Sequence, residues 1–239
     1  MRLDQHPVIA VFLFVGAFAL AQKNPDDLKQ RIHAQAKSLN ADDYAFTRTI
    51  RSEENSGAKK EVKVEVEKFD PSKSANARWT LVSVNDAPPS ANDLKQFQKD
   101  SAKYHVPGYY RLADYFGSPA TTTTNAHGRT TFRFTALPKA TVIVFDSDVS
   151  QNAAVEASVN EGGGTPFVEQ MHSTVGSMRI KLLFKLQSYE ATARYQLGPE
   201  GKPLLVERVS DIVGSGMGKQ GKFHQVTTYS DYRAVIHSR

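Results

Sequence analysis

The glycines at 216, 218 and 221 have the most recognisable chemical spacing in the chain. They match the G-x-G-x-x-G pattern that lets a backbone approach a pyrophosphate. That chemistry needs a strand before the glycines and a helix after them, so that a helix N-terminus meets the phosphate. Residues 223–229 instead alternate as a strand, so Gly216, Gly218 and Gly221 are expected to turn an irregular hairpin with positive-φ positions. The P-loop pattern fails as well. Gly214 stands four residues before Gly218 where five are needed, and Gln220 replaces Ser or Thr.

The other reactive side chains fail in similar ways. Ser215 lies between glycines but lacks the G-x-S-x-G spacing of a nucleophile elbow. The seven histidines form neither H-E-x-x-H nor H-x-H, so no metal site is expected. Glu169 and His172 are three apart, which on a strand puts them on opposite faces. Asp146 and Asp148 are two apart and can share a face, but a glycosidase pair needs a second carboxylate across a cleft. They read as loop-edge aspartates. No catalytic residue, metal or cofactor is assigned, and the chain is expected not to be an enzyme.

Composition narrows the classes further. The chain has 239 residues and no cysteine, which excludes disulfides, thiol catalysis, thiolate metal sites and a lipidated N-terminal cysteine. Its net charge is +5, with basic residues scattered over strand faces rather than clustered with aromatics, so nucleic acid is not an expected partner. Mild attraction to anionic surfaces follows from the sign. Residues 8–20 form an apolar run, short for a membrane span of about 20 residues. The run ends in Ala19-Leu20-Ala21. This pattern is that of a secretory signal peptide over residues 1–21, cleaved before Gln22. No second run approaches spanning length. The mature chain, 22–239, is expected to be one exported domain, periplasmic or secreted, that does not span a membrane.

The elements that must position any site are mostly strands. Asn24 is a good N-cap, Pro25 a good first helical residue, and Leu28, Ile32, Ala36 and Leu39 recur on one face, which predicts an amphipathic helix. Residues 43–51 and 60–69 alternate as strands, the second with Val62, Val64 and Val66 opposite a charged face expected to be solvated. Residues 79–84 are apolar on both sides and read as a central strand. Ser90 and Asp93 resemble a capping box for a helix to about residue 103, with Leu94 and Phe97 inward. The aromatic segment 109–116 predicts a short helix. Residues 118–128, with four consecutive threonines, read as a polar loop whose role the sequence does not explain. Residues 129–135 and 140–146 predict a hairpin. Strands follow at 153–159 and 167–172. From Met178 to Tyr232 long strands are joined by short turns. Residues 179–187 carry Ile180, Leu182, Phe184 and Leu186 on a dry face. A second alternating stretch follows with Ala191, Ala193, Tyr195 and Leu197. Residues 204–213 are an apolar-rich strand and 222–229 the last one. The sum is three helices and about eleven strands, an antiparallel α+β chain.

This order of elements resembles the LolA/LolB-type lipoprotein carriers, the outer-membrane lipoprotein-sorting proteins. The likeness covers most of the mature chain. Its local carriers are Gly198-x-x-Gly201-x-Pro203 and Thr227-x-Tyr229-Ser230-Asp231-Tyr232-Arg233. The segments Trp79-Thr-Leu-x-x-Val84-Asn85, Pro88-Pro89-Ser90 and Gly214-Ser-x-Met217-Gly218-Lys219 are similar to exported bacterial proteins. The resemblance implies a curved, incomplete half β-barrel, with the N-terminal helix and two inserted helices covering its concave face. In such carriers the hollow holds acyl chains. The candidate cavity residues are Trp79, Leu81, Phe134, Phe145, Leu182, Phe184, Leu186 and Tyr195. The expected function is a non-enzymatic carrier or binding protein for a lipid, a lipoprotein acyl chain or another amphiphile. The alternative is an interaction module of the cell envelope with an envelope-protein partner, a filled core and no small ligand.

Overall fold

The computed structural model describes residues 24–235 apart from 58, 127, 182, 183, 217 and 218. The expected signal segment and the candidate Leu182 lie outside the described residues. The described residues open with α1 (Pro25–Lys37), then β1 (Tyr44–Ser56), β2 (Lys59–Phe69) and β3 (Trp79–Val84). The helical insert follows: α2 (Ala91–Ser101), a 3₁₀ turn (Tyr109–Arg111) and α3 (Leu112–Phe116). Then come β4 (Thr121–Thr124), β5 (Thr130–Phe134) and a two-stranded ribbon of β6 (Ile143–Val144) and β7 (Ser147–Asp148). The chain ends with β8 (Ala153–Asn160), β9 (Phe167–Val175), β10 (Met178–Lys181), β11 (Phe184–Leu197), β12 (Pro203–Gly216) and β13 (Lys219–Ala234).

Eleven strands form one antiparallel sheet in the order β3-β2-β1-β13-β12-β11-β9-β8-β5-β4, with β10 paired to β11 off that path. The ends of the path do not meet, so the barrel is open. Laid flat, such a path would be about 40 Å wide. Yet Phe69 of β2 and Phe132 of β5 share one buried cluster with Leu28, Ile32 and Ala36 of α1. The sheet therefore curls about its helical cover, as expected for a half-barrel.

The helices form for reasons visible in their first turns. The Asn24 side chain accepts from the Asp26 N–H at 3.0 Å, Pro25 occupies the first turn, and Asp26 and Asp27 complement the helix dipole. Ser90 and Asp93 complete a reciprocal capping box on α2. The insert is tied down by polar bonds from otherwise apolar side chains. The Tyr109 hydroxyl donates to Gln35 Oε1 at 3.0 Å and accepts from the Val168 N–H at 2.8 Å, joining α1, the insert and β9. Lys29 Nζ donates to the Ser118 carbonyl at 2.6 Å.

Several local expectations are corrected. The stretch 179–187 is not one strand: Met178 pairs with Leu186 and Lys181 with Phe184, so β10 and β11 are antiparallel neighbours. The threonine run is an edge strand, β4, paired with β5. β-branched residues suit that role, although nothing in the composition of a polar segment announces it. Segments 129–135 and 140–146 do not pair. β5 lies between β4 and β8, and 143–148 turns on itself at Phe145 and Asp146, both with positive φ. β3 is an edge strand rather than a central one. A bulge leaves Val82 unpaired and 41% exposed, which accounts for apolar residues on both faces. In α2 Phe97 is buried but Leu94 is exposed, and the helix ends at Ser101. The charged face of β2 is also not wholly solvated, because Phe69 rather than the valines sets its inward side. Glu67 shares the face of Phe69 and is 1% exposed, whereas Val62 faces out.

Candidate functional site

Two β-bulges decide which side chains of the long strands face the concave side. Strict alternation would put Phe184 and Leu186 on one face of β11 and Tyr189, Ala191, Ala193 and Tyr195 on the other. The ladder to β12 runs Leu186–Gly214, then Ser188–Val213, so Gln187 is an extra residue and the parity flips. Both sets then share the concave face. The same device works on β12. Arg194 faces Glu207 and Tyr195 faces Leu205, which makes Val206 the extra residue. Leu205 and Arg208 thus stand on one side, although three positions apart. Glu207 stays on the outer face, paired with Arg194.

A hollow of about 340 Å³ lies between the sheet and its helical cover. Its floor is Met171 of β9, Ala191, Ala193 and Tyr195 of β11, and Leu205 of β12. Its roof includes Leu112 and Tyr115 of α3 and the segment 141–143. The small alanines leave the space, and the aromatic rings wall it. Tyr195 stands edge-on to Tyr109 with ring centres 5.2 Å apart. Burial raises the Tyr195 phenol far above its ordinary range, so it is a neutral hydrogen-bonding group at every working pH.

Arg208 is the charge that the sheet contributes to this hollow. Its NH2 group donates to the Tyr189 hydroxyl at 3.1 Å, and among the described residues no carboxylate lies within ion-pair distance of it. Its side chain is solvent-accessible, yet burial is the largest influence on its ionisation. Arg208 is among the residues that line the hollow. Burial works against the charge, but the phenols of Tyr189, Tyr229 and Tyr115 offset it and hold the group above its usual range. Arg111 and Lys103 also line the hollow, with His105, and no Asp or Glu does.

A second hollow of about 460 Å³ lies at the far end of the long strands. Phe145, on the β6–β7 turn, meets Phe184 edge-on at 5.5 Å, above Ile212 and Phe223. Gly214 makes room for Phe184. A Cβ there would come within 2.4 Å of the ring. Ile143 lines the first hollow and Phe145 the second, so the ribbon borders both.

A third feature is a buried ion pair. Arg48 Nε donates to Glu67 Oε2 at 2.7 Å, and its guanidinium stacks over Trp79 at 4.1 Å and Tyr104 at 4.6 Å. Burial raises the Glu67 carboxyl above its ordinary range in spite of Arg48, and it pushes Tyr104 up to about 12. The group links β1, β2, β3 and the segment after α2, with both Arg48 contacts made to Glu67 Oε2. Among the described residues no three His, Asp or Glu side chains are grouped to hold a metal ion.

The candidates read from the sequence are scattered among these features. Tyr195 lines the first hollow, and Phe145 and Phe184 line the second. Trp79 and Leu81 lie by the Arg48–Glu67 pair, while Phe134 and Leu186 are wholly buried, and none of these four lines either hollow. Arg208, Tyr189, Met171 and Arg111 were not among the candidates. One signal pointed to the first of them. Glu207 and Arg208 are adjacent in a strand, so one of the two has to face inward.

No family model matches the sequence, and no curated protein does. Among solved structures the chain is similar to a LolA superfamily protein from Nitrosomonas europaea. The identity is 12% and the TM-score 0.36, over 88% of this chain and 94% of that one. It is also similar to a DUF1329 family protein from Desulfovibrio piger, with 8% identity and a TM-score of 0.28, over 91% of this chain and 96% of that one.

Proposed function

We propose that this chain is an exported, non-enzymatic binding protein or carrier for an amphiphile, such as a lipid or the acyl chain of a lipoprotein. The observation that carries the reading is the hollow of about 340 Å³ beneath the helical cover. It lies in the size range of small-molecule sites, about 300–1,000 Å³, and combines apolar walls with a few polar groups. Ala191 and Ala193 occupy floor positions where larger side chains would fill it. The alternative, an envelope interaction module with a filled core, fits less well with two hollows of this size. Export rests on the apolar run at 8–20 and the Ala19-Leu20-Ala21 end. No helix of the described residues is long and apolar enough to cross a membrane.

The test is solvent extraction of the purified protein followed by mass spectrometry, together with displacement of a fluorescent fatty acid. A co-purified amphiphile or displaceable binding is expected. Neither an extracted lipid nor saturable binding would sink the carrier reading. For export, the chain recovered from the cell envelope should begin at Gln22. A chain retained inside the cell with Met1 in place would contradict it.

A further inference from the structure

Resting on the amphiphile reading, we infer that Arg208 and the Tyr189 hydroxyl form the headgroup end of the site and select an amphiphile with an anionic head, a carboxylate or a phosphate monoester. The first hollow is lined by the cations Arg208, Arg111 and Lys103, and no carboxylate is in its lining among the described residues. Cations on strand surfaces in this protein are commonly paired: Arg48 with Glu67, Arg133 with Glu156, Arg194 with Glu207. Arg208 departs from that pattern inside a space partly shielded from water. Among the described residues its one hydrogen-bond partner is the Tyr189 hydroxyl, at 3.1 Å. Because the guanidinium donates to that oxygen, the phenolic proton is left to donate elsewhere. An anion beside Arg208 therefore meets a forked cationic donor and a hydroxyl donor together.

The geometry also provides for a tail. Arg208 pairs across the ladder with Ala193, whose neighbours on the concave face are Ala191 and Tyr195. Met171 of β9 lies opposite Ala193 on its other side. An acyl chain leaving the headgroup thus runs over small and apolar side chains. Arg111 and Lys103 come from the helical insert rather than from the sheet, so the same sign of charge is presented from both sides of the opening. A neutral headgroup would leave Arg208 without a counter-charge, whereas an anionic one neutralises it.

Isothermal titration of the intact mature protein with decanoate, decyl phosphate and 1-decanol tests this. Decanoate and decyl phosphate should each bind at least about tenfold tighter than decanol, the scale of one charge-assisted hydrogen bond. Arg208→Gln should close that gap by weakening the two anions and leaving decanol unchanged. Arg194→Gln removes an equal charge from the outer face and should change nothing. The order of decanoate and decyl phosphate tells a fatty acid from a phosphate-headed lipid, and either order supports the inference. Equal binding of decanol and decanoate by the wild-type protein overturns it while leaving the amphiphile reading in place. Inorganic phosphate competing as strongly as decyl phosphate also overturns it. Failure of all three decyl compounds to bind overturns both readings. Should Arg208→Gln not fold, the wild-type ratio of decanoate to decanol decides alone.

Discussion

Single residues settle what the concave face can hold. Glu67 shows how little a charge pattern says about exposure. It lies among Glu61, Lys63 and Glu65 in an alternating run, yet it is buried because it shares a face with Phe69 and lies opposite Arg48. Its ionisation has a consequence for stability. Burial raises its folded pKa above the unfolded value of about 4.5. Between those two values the unfolded chain releases a proton that the folded chain keeps. The contribution of Glu67 is therefore complete below pH 4.5 and is lost as pH rises through the folded value. Exposed carboxylates with lowered values, such as Asp93 and Asp148, slope the opposite way, so the comparison has to be made against a variant. Glu67→Gln should match wild type in urea unfolding near pH 4, gain on it as pH rises above about 4.5, and level off once pH passes the folded value. A difference that stays flat over that range would show that Glu67 titrates normally.

At the scale of elements, caps were legible and parity was not. The Asn24 and Ser90 caps lie within four residues of the groups they satisfy, so the sequence displays them whole. Ser90→Ala should cost about 1 kcal/mol, read as a shift of the urea midpoint with an unchanged slope. No loss would mean that α2 is held by Phe97 alone. The extra residues Gln187 and Val206 are another matter. A bulge is a relation between two strands, and nothing in residues 184–197 or 203–216 taken alone says where the ladder slips. This is why the apolar stretch around Phe184 and the one around Tyr195 were recognised separately, while their shared face and the inward turn of Arg208 were not. The edge positions of β3 and β4 were hidden for the same reason. Gly214 belongs to this scale too, since its lack of a side chain lets the β11 ring cross β12. Gly214→Ala should force Phe184 aside and cost about 1–2 kcal/mol in chemical unfolding. A neutral result would show that the ring relaxes into the neighbouring hollow without strain.

For the molecule as a whole, the sequence pointed to an open antiparallel half-barrel with an N-terminal helix and a helical insert, and that is the architecture observed. It was legible because hydrophobic period and turn residues are local, and because the order of elements limits the topologies available. The interior was less legible. The dry face was expected to line the inside of a curved wall, around either a guest or a filled core. The concave side instead combines a packed core around Phe132 and Phe134, an ion pair at Glu67 and two separate hollows. Side chains from several strands meet there only after curvature brings them together.

The proposed binding site is the first hollow. The most direct measurement is the affinity of decanoate for Ala193→Trp, which places an indole on the hollow's floor without altering any charge. Binding should weaken at least about tenfold relative to wild type, with cooperative unfolding retained. Undiminished affinity in the folded variant would contradict the account, because the ligand would then be bound elsewhere.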